Sequence, residues 1–189
     1  MGLGLLRCIV AVALCAVCAL AQAAPTVLLR AEAGLAGPGG GPPAQWSPVV
    51  LPHDWADMFP GYSGIVWYRL TIDLDRVQAD DGGLLGVYLQ RACTNAEVFL
   101  NGEQIGGSGL MTGTVTRNCY YPQLAALPRA VLRPGTNELL IRLAGFAENE
   151  VSARQRAAGL SEIHVGPLSA LQLLYETLDR YSPVRPLPG

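Results

Sequence analysis

The sequence predicts an all-β protein built as an antiparallel β-sandwich, with a signal helix before it and one helix near the C-terminus. Short apolar segments alternate with a period of two residues, as strands with one buried face do. Turn signals separate these segments, namely Asp80-Asp81-Gly82-Gly83, Asn101-Gly102 and Pro134-Gly135. No helix-length pattern lies between them, which favours an antiparallel sandwich over a parallel α/β sheet.

Residues 1–23 have the organisation of a secretory signal peptide. Arg7 supplies the positive charge, residues 8–20 form the apolar core, and the small residues of "AQA" precede Ala24. We expect cleavage after Ala23 and an exported protein. The alternative is an uncleaved N-terminal anchor, although the apolar run is shorter than the roughly 20 residues that a membrane span needs.

Residues 24–45 are expected to form a flexible lead-in. The segment "AEAGLAGPGGGPPA" within it is rich in glycine and proline and nearly uncharged, which is typical of linkers. Ordered structure is therefore expected to begin near Trp46.

Five strands are predicted after Trp46. The clearest spans residues 64–74, and its buried face would carry Val66, Tyr68, Leu70, Ile72 and Leu74. The other four span residues 84–91, 96–101, 137–145 and 162–166.

The dipeptide Asn101-Gly102 predicts a two-residue hairpin after the third strand. A type I′ turn needs positive φ at both central residues, which Asn-Gly tolerates best, and the turn sets the register of the hairpin. The alternative is that Asn101 contacts a ligand.

Residues 167–182 are predicted to be helical. Leu168, Leu171, Leu174, Tyr175 and Leu178 recur at helical spacing after a candidate Ser169 cap, and the last residues, 183–189, can only be extended.

Two of the five cysteines, Cys93 and Cys119, lie outside the signal segment. An even pair in an exported chain favours a disulfide, which would close a loop of about 27 residues and contribute roughly 3 kcal/mol. Two buried free thiols are the alternative.

Charge and motifs exclude several classes of function. The formal net charge is −2, lysine is absent and the arginines are dispersed, so we expect no nucleic-acid partner. His53 and His164 have no partner at metal-ligand spacing, and we expect no metal, no cofactor and no enzymatic activity in this chain. The pairs that could serve as acid and base are Asp54 with Asp57 and Glu148 with Glu150, and solvated loop charge explains both.

Four segments together resemble a known family. They are "WSPVVLPHDW" (46–55), "GYSGIVWYRLTIDL" (61–74), "AEVFLNGEQIG" (96–106) and "LRPGTNELLIRLAG" (132–145). In this order they resemble the galactose-binding-like jelly-roll domain at the N-terminus of family-two glycoside hydrolases such as β-galactosidase and β-glucuronidase. The resemblance implies a jelly-roll domain over residues 46–167, followed by the helix and tail of residues 168–189.

A second resemblance concerns residues 116–145 and 158–176. These are similar to the exported N-terminal region of bacterial membrane sensors, in which a jelly roll precedes membrane helices and a histidine kinase or diguanylate cyclase. The chain is therefore interpreted as the periplasmic ligand-binding input domain of such a sensor, attached to the membrane portion of a longer receptor. One alternative is an accessory carbohydrate-binding domain of, or derived from, a family-two glycosidase, and another is a purely structural module.

The expected ligand is a small molecule or a glycan, or else a periplasmic partner protein. Sugars offer C–H faces to aromatic rings and hydroxyls to charged and amide groups. Trp67 and Arg69 share a strand face, and they either line an open sheet surface or are covered by a loop. The disulfide would hold residues 117 and 118 near the strand of Cys93. The candidate ligand-binding residues are Trp67, Arg69, Arg91, Arg117, Asn118 and Tyr120.

Overall fold

The computed structural model describes residues 23–77, 83–111, 119, 121–151 and 158–180, which form an antiparallel β-sandwich. The predictions for the signal segment 1–22 and for Arg117, Asn118 and Tyr120 lie outside these residues. Along the chain, the strands are β1 (Thr26–Leu28), β2 (Arg30–Leu35), β3 (Ser47–Val50), β4 (His53–Asp54), β5 (Gly64–Asp73), β6 (Leu85–Leu89), β7 (Ala92–Cys93), β8 (Asn95–Leu100), β9 (Glu103–Ser108), β10 (Gln123–Leu127), β11 (Thr136–Gly145), β12 (Gly159–Leu160) and β13 (Ile163–Pro167).

Two main sheets face each other across the core. The larger has the strand order β3-β2-β5-β11-β8-β9, and the smaller has the order β1-β13-β6-β10. A short third sheet, β4-β12-β7, lies at one end of the sandwich. The helices are α1 (Trp55–Met58) and α2 (Leu168–Arg180), and 3₁₀ turns occur at Pro38–Gly40 and Glu148–Glu150.

The long central pair β5 and β11 confirms the alternation predicted from the sequence. They pair over their whole length, from Thr136 opposite Asp73 to Gly145 opposite Gly64. On the inner face of β5, Val66, Tyr68 and Ile72 are fully buried. Each such side chain contributes about 1.5–3 kcal/mol on leaving water, so this pair anchors the core.

The β8–β9 hairpin has the predicted turn. Asn101 has φ of 50° and Gly102 has φ of 93°, as a type I′ turn requires, and Leu100 pairs with Glu103 across it. Ala96, Val98 and Leu100 are consequently buried.

The prediction of a flexible lead-in is wrong for residues 26–35. Here β1 pairs with β13, and β2 inserts between β3 and β5. Ala31 and Ala33 alternate inward and are buried, although their small side chains give only a weak hydrophobic signal in the sequence. Backbone hydrogen bonds to a strand on each side keep β2 ordered, which the glycine-rich composition does not indicate.

Helix α2 lies along the outer face of the smaller sheet. It begins at Leu168, so Ser169 is inside the first turn and does not act as the cap. Leu171 is fully buried, and a Cβ on Gly86 of β6 would meet Leu168 Cδ1 at 2.8 Å, so glycine permits the close approach of helix and strand. None of the helices in the described ranges has the length and apolar character that a membrane crossing requires.

The predicted disulfide between Cys93 and Cys119 is present. It joins β7 to the segment between β9 and β10, and both cysteines are buried. The alternative of two free thiols is thereby excluded.

Candidate functional site

A concave pocket of about 380 Å³ lies at the end of the sandwich where the three-stranded sheet is found. We call it the loop-end pocket. Three separate stretches of the chain form it: α1 with the turn after it, the turn that follows β11, and Ala158 directly before β12. Its lining residues are Asp54, Trp55, Ala56, Phe59, Pro60, Gly61, Phe146, Ala147, Glu148, Asn149 and Ala158.

Asp54 starts one wall of the pocket. Its Oδ1 accepts a hydrogen bond of 3.0 Å from the backbone N–H of Ala56, which caps α1. The backbone N–H of Trp55 donates to the carbonyl of Ala158 at 3.1 Å, and the N–H of Ala158 donates to the carbonyl of Phe146 at 3.2 Å. The three wall segments are therefore bonded to each other through their backbones.

Trp55 belongs to the inner part of the pocket and is 2% exposed. Its Nε1 donates a hydrogen bond of 3.0 Å to the hydroxyl of Tyr68 on β5, and its ring contacts Tyr62 with centroids 5.8 Å apart. Gly145 makes room for the indole, because a Cβ there would lie 3.2 Å from Trp55 Cη2. The position of this indole is thus set by the core of the sandwich.

His53 lies directly behind the pocket. It is 7% exposed, its Nδ1 lies 2.9 Å from the Tyr68 hydroxyl, and its ring meets Phe59 edge-on with centroids 6.3 Å apart. Burial lowers the pKa of His53 below its ordinary 6.5, and this effect outweighs the opposing influence of the carboxylates of Asp57 and Asp54. The imidazole is therefore neutral at pH 7.

The opposite rim carries Glu148 and Asn149 on an exposed turn. Ser63 holds this turn in place, because its Oγ donates to Glu150 Oε2 at 2.7 Å and accepts from the N–H of Ala147 at 2.9 Å. Asp54 and Glu148, one from each of the predicted carboxylate pairs, consequently line the same pocket.

The predicted pair Trp67 and Arg69 does not line this pocket. Both lie on the outer face of the larger sheet, but Trp67 is 6% exposed because the Pro38–Gly40 turn covers it, and its Nε1 donates to Gly40 O at 3.1 Å. Of the two arrangements that the sequence left open for Trp67, the structure has the loop-covered one. Arg69 forms an ion pair of 2.8 Å with Glu32 and lies 4.5 Å from the centroid of the Trp46 ring.

Arg91 lies close to the inner side of the loop-end pocket. Its backbone N–H donates to Ser161 Oγ at 3.1 Å, and a Cβ on Gly159 would lie 3.3 Å from Arg91 Nη1. The structure therefore does not bring Trp67, Arg69 and Arg91 together. For Arg117, Asn118 and Tyr120, a ligand-binding role stays a prediction.

Sequence reasoning missed Phe59, Phe146 and the pairing of Asp54 with Glu148 as a site. Asp54 and Phe59 are about ninety positions away from Phe146 and Glu148 in the sequence, and only the fold brings the two pairs together. The one available signal was "LPHDW" itself, whose Asp54 and Trp55 both line the pocket.

The chemistry available in the loop-end pocket suits a hydroxylated ligand with apolar faces. Half-buried aromatic rings at Phe59 and Phe146 can pack against C–H groups, and the carboxylates and Asn149 can accept hydrogen bonds from hydroxyls. Within the ranges that the structure describes, no group of three or more His, Cys, Asp or Glu residues is arranged to hold a metal ion.

Comparison with known proteins indicates relatives among glycosidases. A candidate β-glucuronidase of Formosa agariphila is 26% identical over 123 residues, which is 60% of this chain and 13% of that protein. The β-galactosidase BoGH2A of Bacteroides ovatus is 33% identical over 76 residues, which is 32% of this chain and 8% of that protein. The chain thus spans a small part of these relatives' length. No protein-family model matches it.

Solved structures show the same fold. A β-glucuronidase of an uncultured Clostridium has a TM-score of 0.57 at 12% identity, covering 77% of this chain and 29% of that one. The Ruminococcus gnavus β-glucuronidase has a TM-score of 0.56 at 14% identity, with 77% and 29% covered. A family-two β-galacturonidase from Eisenbergiella tayi has a TM-score of 0.53 at 16% identity, with 76% and 24% covered.

These matches correct the main interpretation drawn from the sequence. The reading of the chain as the sensory input domain of a membrane signalling protein is wrong, because the similar curated proteins and structures are family-two glycosidases. The segment that suggested a sensor, residues 158–176, forms β12, β13 and most of α2, which pack onto the sandwich. The alternative, a domain related to family-two glycoside hydrolases, is better supported.

Proposed function

We propose that this chain is a non-catalytic carbohydrate-recognition module related to the jelly-roll domain of family-two glycoside hydrolases, and that the loop-end pocket binds the glycan. The observation that carries the proposal is the meeting of aromatic rings and carboxylates in one concavity. The glycosidase relatives and the shared fold support a sugar as the ligand class.

The rigidity of the pocket supports recognition. Backbone hydrogen bonds join its three wall segments, and Ser63 fixes the rim at Ala147 and Glu150. A site whose side chains are already in place loses little conformational entropy when the ligand binds. Weak individual contacts with a sugar can therefore give a measurable affinity.

Binding is proposed in preference to hydrolysis because Asp54 already has a structural role. Its Oδ1 accepts from the Ala56 N–H and caps α1, which ties the carboxylate to the backbone. A glycosidase needs one carboxyl group that protonates the leaving oxygen and a second that attacks or activates water. The carboxylate of Asp54, which caps α1, is better suited to accepting hydrogen bonds from ligand hydroxyls than to either of these catalytic steps.

The test is a glycan array with the purified chain, followed by calorimetric titration of the sugars that bind. Phe146→Ala and Glu148→Gln each change one pocket side chain on the rim. We expect each to weaken binding about five- to thirtyfold, in line with the 1–2 kcal/mol of a lost ring contact or of a hydrogen bond to a charged group. Asp54→Asn keeps the cap while it removes the charge, and should weaken binding as well.

Arg69→Gln is the control, since Arg69 is not among the residues that line the loop-end pocket, and Arg117→Gln tests a second arginine that the sequence suggested. Unchanged affinity in these two, with loss in the pocket variants, supports the proposed site. The opposite pattern would move the site to the predicted arginines. If no glycan binds, and crosslinking instead captures a partner protein, the structural-module alternative replaces the proposal.

A further inference from the structure

Two of the three aromatic side chains that line the loop-end pocket, Phe59 and Trp55, are connected to the buried side chain of His53. His53 contacts Phe59 edge-on, with centroids 6.3 Å apart, and lies 2.9 Å from the Tyr68 hydroxyl through Nδ1. The same hydroxyl accepts the indole hydrogen bond of Trp55 at 3.0 Å. His53 therefore contacts the ring of Phe59 directly, and it is linked to the indole of Trp55 through the hydroxyl oxygen of Tyr68.

The donor and acceptor roles of the His53 ring nitrogens depend on its tautomer, which we assign from the partners in this cluster. The indole of Trp55 can only donate, so the Tyr68 oxygen accepts from it and keeps its own proton to donate. Neutral His53 with a bare Nδ1 accepts that proton, and its remaining N–H is at Nε2. Nε2 is buried and has no hydrogen-bond partner among the described residues.

A second proton on His53 disrupts this arrangement. Nδ1 then becomes a donor, so two N–H groups point at the Tyr68 oxygen and the hydroxyl proton loses its acceptor. A buried donor without an acceptor is costly, and the added charge lies away from water. The indole, the hydroxyl or the imidazole must then move.

We propose that His53 is a pH-responsive positioning residue, which holds Trp55 and Phe59 in the binding arrangement when neutral and releases them when protonated. This inference rests on the proposed function only where it concerns glycan affinity. The lowered pKa that burial gives His53 is consistent with it.

The charged groups around His53 are consistent with protonation of its ring below pH 7. Asp54 on its own strand and Asp57 on α1 favour its protonated form, but burial outweighs both. Tyr68 on β5 faces it, and burial raises the pKa of this phenol, so Tyr68 stays protonated across the range in question. Arg91 acts on Tyr68 in the opposite sense, as a weaker influence.

The experiment incorporates 5-fluorotryptophan into the full chain, which has three tryptophans, and follows ¹⁹F and histidine ¹⁵N spectra from pH 7.5 to 5. Trp55→Phe assigns the Trp55 resonance. We expect that resonance to shift together with the titration of the His53 ring, at a midpoint below 6.5, and to stop shifting in His53→Gln, whose amide can still accept from Tyr68. Glycan affinity should fall at least about fivefold over the same range, as for one net hydrogen bond of about 1 kcal/mol.

His164→Gln is the matched control, because His164 is the only other histidine and burial lowers its pKa as well. It lies on β13, and the Trp55 shift should persist in this variant. The inference is overturned if Trp55 stays unshifted while His53 titrates, if the shift survives in His53→Gln, or if the chain unfolds before His53 titrates. A chain that binds no glycan at any pH overturns the proposed function, while the ligand-free spectra still decide the role of His53.

Discussion

Replacing Asn101 should destabilise the protein far more than an exposed turn residue normally would. Its side chain connects the β8–β9 turn to the turn before β11. Nδ2 donates to Val131 O and to Asn137 Oδ1, both at 2.8 Å, and Oδ1 accepts from the Glu138 N–H at 3.0 Å. Its φ of 50° adds a conformational requirement that few residues meet.

The expected loss follows from these contacts. Three hydrogen bonds at about 1 kcal/mol each give about 3 kcal/mol for Asn101→Gly, which keeps the positive φ without strain. Asn101→Ala loses the same bonds and adds about 1 kcal/mol for a β-carbon in the left-handed region, for a total of about 4 kcal/mol. This is a large share of the 5–15 kcal/mol that a domain typically has.

The measurement is urea unfolding followed by tryptophan fluorescence, with the midpoint and the slope compared for each variant. Glu103→Ala, an exposed change in the same hairpin, should stay within about 0.5 kcal/mol of the wild type. A loss below about 1 kcal/mol for Asn101→Ala would refute the structural explanation of this residue. The alternative, in which Asn101 serves a ligand, would then regain support.

Three further changes test other parts of the structure. Replacing Cys93 and Cys119 together by serine should cost about 3.5 kcal/mol in urea unfolding, the chain-entropy value for a separation of 26 residues, and a loss below about 1 kcal/mol would contradict it. Gly145→Ala, where a Cβ would crowd a carbonyl oxygen at 3.0 Å, should cost about 1–3 kcal/mol in thermal melts, whereas Gly41→Ala, with its nearest atom at 3.8 Å, should be neutral. Because burial lowers the pKa of His53, the unfolded chain binds its proton more tightly. The free energy of unfolding should therefore have its full value above pH 6.5 and decrease as the pH falls below it. The decrease should be smaller in His53→Gln, and equal acid sensitivity of the two proteins would contradict this.

The scaffold could be predicted where the side chains themselves alternate in polarity. Val66, Tyr68 and Ile72 have this pattern, and β5 is found where expected. The strand β2 was missed because Ala31 and Ala33 are too small to give the same signal, and its order depends on partners far away in the sequence. Amino-acid composition indicates local flexibility, but it does not reveal backbone pairing with strands that are distant in the sequence.

The candidate site could be predicted only in part, for the same physical reason. Asp54 as a cap follows from its position before a short helix, because capping is a local interaction. Its position in one pocket with Phe146 and Glu148 depends on how β5 and β11 pair. For Trp67 the sequence left an open and a loop-covered position as alternatives, and only the fold shows that the Pro38–Gly40 turn covers it.

The arrangement of the sandwich explains why recognition would occur at its end and not on its broad face. On the outer face of the larger sheet, Arg69 pairs with Glu32 at 2.8 Å, and Arg142 pairs with Glu97 at 3.0 Å. A ligand there would have to break contacts that are already made, and so would lose the free energy of each pair it displaced. At the loop end, Glu148 and Asn149 are exposed, and backbone hydrogen bonds behind them hold the pocket walls together. Recognition is therefore placed at the loop end, where a concave pocket combines exposed polar groups and aromatic rings with walls held by backbone hydrogen bonds.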